Sequence, residues 1–260
     1  MNIKAAFFDL DWTLFDHKND RWDMESIEKI KELQKRGVKV FICTARPYHS
    51  FKWLGAFDLG IEWDGYIASA GGYAYTDGQY LHMASMKSED VYHFIELAKE
   101  RKLTLEVVEL KDRILVAPPT KEAKDYYSAF KEVMPDVEEY DGSTAIGLNF
   151  FSPESEDAFF VQEFPNLVFF RFSPVSVDVM PSPRAKGHCL KLFLDHYGIK
   201  KDEAVAFGDD LQDISMASEV GYFVCMGNGK DEVKKVASYV TKNVWESGVG
   251  YAIEEMLENN

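Results

Sequence analysis

Four short segments of this chain carry side chains that together could handle a phosphate ester and a divalent cation. The first is Asp9-Leu10-Asp11-Trp12-Thr13-Leu14. Two carboxylates two residues apart, just past an apolar run, can approach closely enough to share one cation. Oxygen-only ligands of this kind suit Mg²⁺, which keeps waters and takes further ligands from phosphate. A turn that two aspartates merely cap would look the same. The second segment is Thr44-Ala45-Arg46, where a hydroxyl beside free backbone N–H groups can hold a phosphoryl oxygen or simply cap a helix. The third is Lys186-Gly187; a lysine there can neutralise phosphate and a nearby carboxylate, although solvated lysines are commoner. The fourth is VAFGDDLQD over 205–213. Its Gly208 permits a tight turn, and its acids would complete a cation site begun by Asp9 and Asp11, although helix N-termini also favour acids.

The elements that would position these segments follow from hydrophobic spacing. Residues 3–8 form an apolar run ending at Asp9, as expected of a strand buried on both faces. Ile27, Ile30 and Leu33 make one helical stripe, with Gly37 as its stop, and a second buried strand covers 38–43. Strand, helix and strand at this spacing predict a parallel βαβ unit. The style then changes. A helix capped by Ser88 presents Val91, Phe94, Ile95 and Ala98, and strands are expected at 104–109 and 113–117. Thr120 opens a helix with Ala123, Tyr126, Tyr127, Phe130 and Val133 as its stripe. Further strands are expected at 145–151 and 167–172, with a short helix between them that has Pro153 at its first position. Val175, Val177 and Val179 alternate with polar or flexible residues, a half-buried antiparallel pattern. From 184 the first style returns, with helices at 185–197, 211–218 and 245–257 and strands at 204–207 and 222–226. An α/β domain interrupted by an α+β module of about a hundred residues is the expected plan.

Composition narrows the function further. At 260 residues, 46% of them hydrophobic, the chain can bury about three quarters of its unfolded surface. Its net charge of −15 argues against nucleic acid and anionic membrane as partners. That field also repels phosphate, so a bound metal and a few placed cations have to supply the attraction. No apolar run is long enough to span a membrane. The segment reaching Asp9 is too soon charged for a signal peptide. Three scattered cysteines, Cys43, Cys189 and Cys225, read as reduced and buried, so a cytoplasmic location is expected. The six histidines show neither HxxxH nor HExxH, which argues against zinc. Arg46, Arg171 and Arg184 are candidate contacts for an anionic or polyhydroxy substrate.

Taken in order, DLDWTL, CTAR, AKG and AFGDDLQD resemble the four motifs of the haloacid dehalogenase superfamily of phosphohydrolases. The tail MGNGKDEVKKVASYVTKNVWESGVGYAI is similar to the closing segment of its Cof-type IIB branch. The resemblance spans nearly the whole chain. It implies a Rossmann-like parallel-sheet core over 1–81 and 183–260. An inserted α+β cap over 82–182 would choose substrate and close about hinges near 79–84 and 181–184. It implies Asp9 as the nucleophile and Asp11 as the acid and then base. Thr44 and Lys186 would hold the phosphoryl group. Mg²⁺ would sit on the Asp9 carboxylate, the Asp11 carbonyl and the Asp209 carboxylate. Asp213 would orient metal waters or Lys186, and Thr13 would hydrogen-bond within the first loop. The implied activity is hydrolysis of small phosphorylated metabolites, sugar phosphates foremost, through an aspartyl-phosphate. A phosphomutase-like transferase and a non-catalytic ligand-binding relative are the alternatives. Three positions depart from the family pattern: Trp12 stands for Gly, Gln212 for Asn, and Ser69-Ala70-Gly71-Gly72 for an Asn-Gly stretch.

Overall fold

The computed structural model describes residues 2–110, 112–129, 133–171, 173–182 and 185–258. The chain divides into two compact units, one of residues 1–83 with 184–260 and one of 84–183. The first unit begins with β1 (Ala5–Phe8), a small ribbon of β2 (Phe15–Asp16) and β3 (Arg21–Trp22), and α1 (Met24–Lys35). Then come β4 (Lys39–Cys43), α2 (Tyr48–Trp53), β5 (Gly65–Ala68), β6 (Tyr73–Thr76) and β7 (Gln79–Met83). Asp23 caps α1 by accepting from the Ser26 amide, and Ile27, Ile30 and Leu33 are its buried face. Gly37 ends it with φ +85°. The Gly37 amide donates to Gln34 O (2.9 Å) and the Val38 amide to Leu33 O (3.2 Å), which satisfies carbonyls left over at the helix end.

The second unit runs through α3 (Ser88–Glu100), β8 (Thr104–Glu109), β9 (Arg113–Leu115), α4 (Lys121–Ala129), β10 (Ala145–Phe151), α5 (Asp157–Glu163), β11 (Val168–Arg171) and β12 (Ser176–Met180). Its sheet has the order β11-β12-β10-β8-β9, with every neighbouring pair antiparallel. Phe94 of α3 stacks on Phe160 and Phe164 and meets Phe150 of β10 edge-on, so helices and sheet share one aromatic core. Three local expectations change. Ser88 is the first helical residue, and Lys87 holds the cap position without a side-chain bond. Pro153 precedes a 3₁₀ turn at Glu154–Glu156 instead of starting a helix. Val133 is exposed and lies in irregular chain; Phe130, on the same expected stripe, lies outside the described residues.

The chain then completes the first unit with α6 (Lys186–Tyr197), β13 (Ala204–Gly208), α7 (Ile214–Ala217), β14 (Tyr222–Cys225), α8 (Asp231–Val236), β15 (Tyr239–Val240) and α9 (Gly248–Glu258). Its sheet has the order β15-β14-β13-β1-β4-β5-β6-β7. It is parallel from β15 to β5 and antiparallel beyond. β1 lies between β4 and β13, with Phe8 beside both Ile42 and Phe207. Phe7 stacks on Phe41 and Phe8 on Phe207, which fixes this register through the core. The helix expected at 211–218 is a 3₁₀ turn at Leu211–Asp213 followed by α7. Among the described residues no helix is long and apolar enough to cross a membrane. The carboxyl ends of β1, β4 and β13 therefore open side by side, where parallel sheets collect ligands.

Candidate active site

Lys186 is the first residue of α6 and is fully buried. Its Nζ donates to Asp9 Oδ1 at 2.7 Å and to Asp213 Oδ1 at 2.6 Å. Asp9 follows β1 directly, and its amide donates to Phe207 O of β13. Asp213 lies in the turn after β13, and its Oδ2 accepts the amides of Asp209 and Asp210, both at 2.9 Å. One carboxylate thus anchors the lysine with one oxygen and the strand-to-helix turn with the other. Asp209 joins them from the same turn. Its Oδ1 accepts the Thr13 hydroxyl at 3.0 Å, across 196 positions of sequence. Thr13 also makes the bond expected within the first loop, its amide donating to Leu10 O at 3.2 Å.

Two glycines make the approach possible. A Cβ on Gly208 would lie 2.5 Å from the Asp213 carboxylate, and one on Gly187 would lie 2.0 Å from Ser215 O. The first is where Asp213 folds back over its turn, and the second is where α6 packs against α7. Gly208→Ala is expected to cost about 1–3 kcal/mol, because overpacking a dense site displaces its neighbours. A urea melt matching that of the unsubstituted protein would contradict this account of Asp213.

Electrostatics follow from burying three carboxylates around one ammonium. Burial raises the Asp9 pKa well above the ordinary carboxylate value; Lys186 opposes this, while Asp213, Asp209 and Asp11 add to it. Burial and the charge of Asp213 push Asp209 up to about 7. Burial works against the charged form of Lys186, but Asp213 and Asp9 outweigh it and hold its pKa above the ordinary value. The carboxylate oxygens of Asp9, Asp209 and Asp213 lie within 4.8 Å of one another, all buried. A hard divalent cation fits this set: the donors are oxygens, and the surplus negative charge has one buried ammonium to offset it. Asp213 already uses both oxygens on Lys186 and the turn amides, so Asp9 and Asp209 are the better carboxylate ligands.

Asp11 points its carboxylate elsewhere. Arg46 grips it with Nε (2.8 Å to Oδ2) and a terminal nitrogen (2.7 Å to Oδ1), a fork that suits a carboxylate. His17 Nε2 lies 2.6 Å from the same Oδ1. Burial would raise the Asp11 pKa, but the bonds from His17 and Arg46 prevail and hold it well below the usual range. Arg46, expected to meet substrate, is therefore engaged with Asp11 in this arrangement. Thr44 is buried at the end of β4, and its hydroxyl accepts the Arg46 amide at 3.1 Å. The Ser69–Gly72 stretch, which departs from the family pattern, still supports this loop. Ser69 N donates to Arg46 O (2.9 Å) and Ala70 N to Thr44 O (3.0 Å).

Of the remaining expectations, Arg171 pairs with Asp157 within the second unit. Arg184 lies outside the described residues, as does part of the expected hinge at 181–184. The three cysteines are free and buried. Sequence reasoning missed His17 and also Lys230, which pairs with Asp210 at 2.6 Å and donates its amide to Asp209 O.

A family of haloacid dehalogenase-like hydrolases matches residues 6–253 of the chain. Putative phosphatase YkrA of Bacillus subtilis is 28% identical over 259 residues, covering 98% of each chain. A hypothetical protein of Geobacillus kaustophilus superposes with a TM-score of 0.91 at 29% identity, over 98% of this chain and 99% of that one. The subclass IIB sugar phosphatase BT4131 superposes with a TM-score of 0.75 at 27% identity, over 97% and 98%.

Proposed function

The chain belongs to the haloacid dehalogenase-like hydrolases, and on that premise we propose that it is a Mg²⁺-dependent phosphatase of small phosphorylated metabolites, sugar phosphates foremost. The observation that carries this is the buried Lys186 bridging Asp9 and Asp213 with Asp209 alongside. A nucleophilic carboxylate, a fixed cation and an oxygen cluster for a metal then meet at one strand end.

In this reading the Asp9 carboxylate attacks phosphorus, and the bond from phosphorus to the ester oxygen breaks. The leaving oxygen takes a proton from Asp11. Water deprotonated by Asp11 then attacks the aspartyl-phosphate, releasing phosphate and restoring Asp9. Because Arg46 and His17 keep Asp11 ionised at rest, delivering the proton requires Asp11 to leave that grip. Lys186 and Thr44 hold the transferring oxygens as their charge shifts. Mg²⁺, held by the carboxylates of Asp9 and Asp209 and the Asp11 carbonyl, would keep Asp9 ionised and offset charge on the phosphoryl oxygens. The sugar-phosphate preference is supported by the likeness to BT4131, itself named a sugar phosphatase. Substrate choice is assigned to the 84–183 unit, a cap inserted between the Thr44 and Lys186 segments.

The test is phosphate release from a panel of sugar and other metabolite phosphates, with Mg²⁺ and with chelator. Release should fall by about 100-fold or more on chelation. Equal release in chelator would remove the metal from the mechanism, and no release from any ester would remove the phosphatase reading.

A further inference from the structure

Trp12 holds a backbone conformation that its own side chain disfavours. Its φ is +59°, in the left-handed region that bulky L-residues rarely enter. The other described non-glycine residues with positive φ are Asp20, Ser69, Ala70, Asp77, Lys102 and Ser247, all small or polar. Two hydrogen bonds keep the strained residue in place. Its amide donates to Phe15 O at 2.9 Å, and Asn228 Nδ2 donates to its carbonyl at 2.8 Å. Burial does not explain an indole here, because the residue is 39% exposed. Strain of this sort persists where the site itself uses it.

The neighbours say what that use is. The His17 ring packs beside the indole with centroids 5.2 Å apart. His17 leans in turn on Phe15 and reaches Asp11. The indole is thus braced by the side chain that touches Asp11, and it stands one residue from the group that protonates the leaving oxygen.

We propose that Trp12 is a specificity-determining residue whose exposed indole receives a flat ring carried by the leaving alcohol. The site would then favour ring-bearing phosphate monoesters over acyclic ones. The ring could offer an aromatic π-face or the C–H face of a pyranose, and both pack on indole. The inference rests on the phosphatase reading above.

Its test compares kcat/KM for phenyl phosphate, glucose 6-phosphate and glycerol 3-phosphate in three proteins: wild type, Trp12→Asn and Trp12→Phe. Asparagine tolerates the left-handed backbone without a ring, and phenylalanine keeps a ring. Trp12→Asn should lower kcat/KM about five- to tenfold for the ring-bearing ester that wild type prefers. Glycerol 3-phosphate should change by less than about twofold, and Trp12→Phe should recover most of the loss. The preferred ring ester identifies which face is bound. Equal losses on all three esters, or no loss on any, would overturn the proposal. Wild type that hydrolyses none of them would overturn the phosphatase reading, and this inference with it.

Discussion

Asp9→Asn is expected to lower phosphate release by about 10⁴-fold or more, as loss of a covalent nucleophile does, while the protein stays folded. The amide is nearly isosteric but cannot attack phosphorus. Lys186 keeps its second carboxylate, Asp213, at 2.6 Å, so the buried ammonium is not stranded. Because burial already raises the Asp9 pKa, removing its charge relieves the crowding of Asp209 and Asp213. The metal-free variant should therefore melt at or above the wild-type temperature, and its gain on adding Mg²⁺ should shrink. Single-turnover phosphate release and paired thermal melts read both effects. Residual turnover above about 1% of wild type would place the nucleophile elsewhere.

Lys186→Met should be costlier to the fold. The lysine is completely buried, and methionine of similar length leaves Asp9 and Asp213 facing one another without a cation. Removing one partner of a buried ionic cluster costs about 3–5 kcal/mol, or about 10 °C in melting temperature for a chain of this size. The sign with pH is fixed by the same charges. The Asp9 carboxyl, already raised by burial, then loses the ammonium that opposed the rise, so stability is fuller at low pH and is lost as pH rises and the unfolded chain releases its proton. The deficit against wild type should therefore widen from pH 5 to pH 8. A variant melting within about 2 °C of wild type at pH 8 would mean that Lys186 is not what balances this cluster. Activity should fall as well, since the phosphoryl group loses its fixed positive partner.

Much of the architecture was legible because it rests on burial, which repeats along the chain. The apolar runs at β1, β4 and β13 announce strands covered on both faces, and Ile27, Ile30, Leu33 and Gly37 announce a helix and its end. The positions of Asp9, Thr44, Lys186 and Asp209 at strand and helix ends follow from the same runs. Which side chains pair with which did not follow. Thr13 reaches Asp209 across 196 positions, and Arg46 reaches Asp11 across 35; no local pattern encodes either distance. His17 has no second histidine at a metal-binding spacing, so nothing local marks it. The short ribbon of β2 and β3 returns its turn toward Asp11, and two-residue strands leave almost no alternation to read. Ser88 failed as a cap for a similar reason: a serine before a helix marks its start only to within a residue.

The central place of β1 has a consequence for how the protein is made. Its partner β13 is encoded roughly 200 residues later, so at ordinary elongation rates about 10–40 s separate the two. Through that interval the first half of the sheet carries an open, wholly apolar edge, the kind that recruits foreign strands. The nascent chain at this stage should thus be a client for ribosome-associated chaperones. Slowing translation within the 84–183 insertion should lower the soluble yield even though no residue of the finished protein is changed.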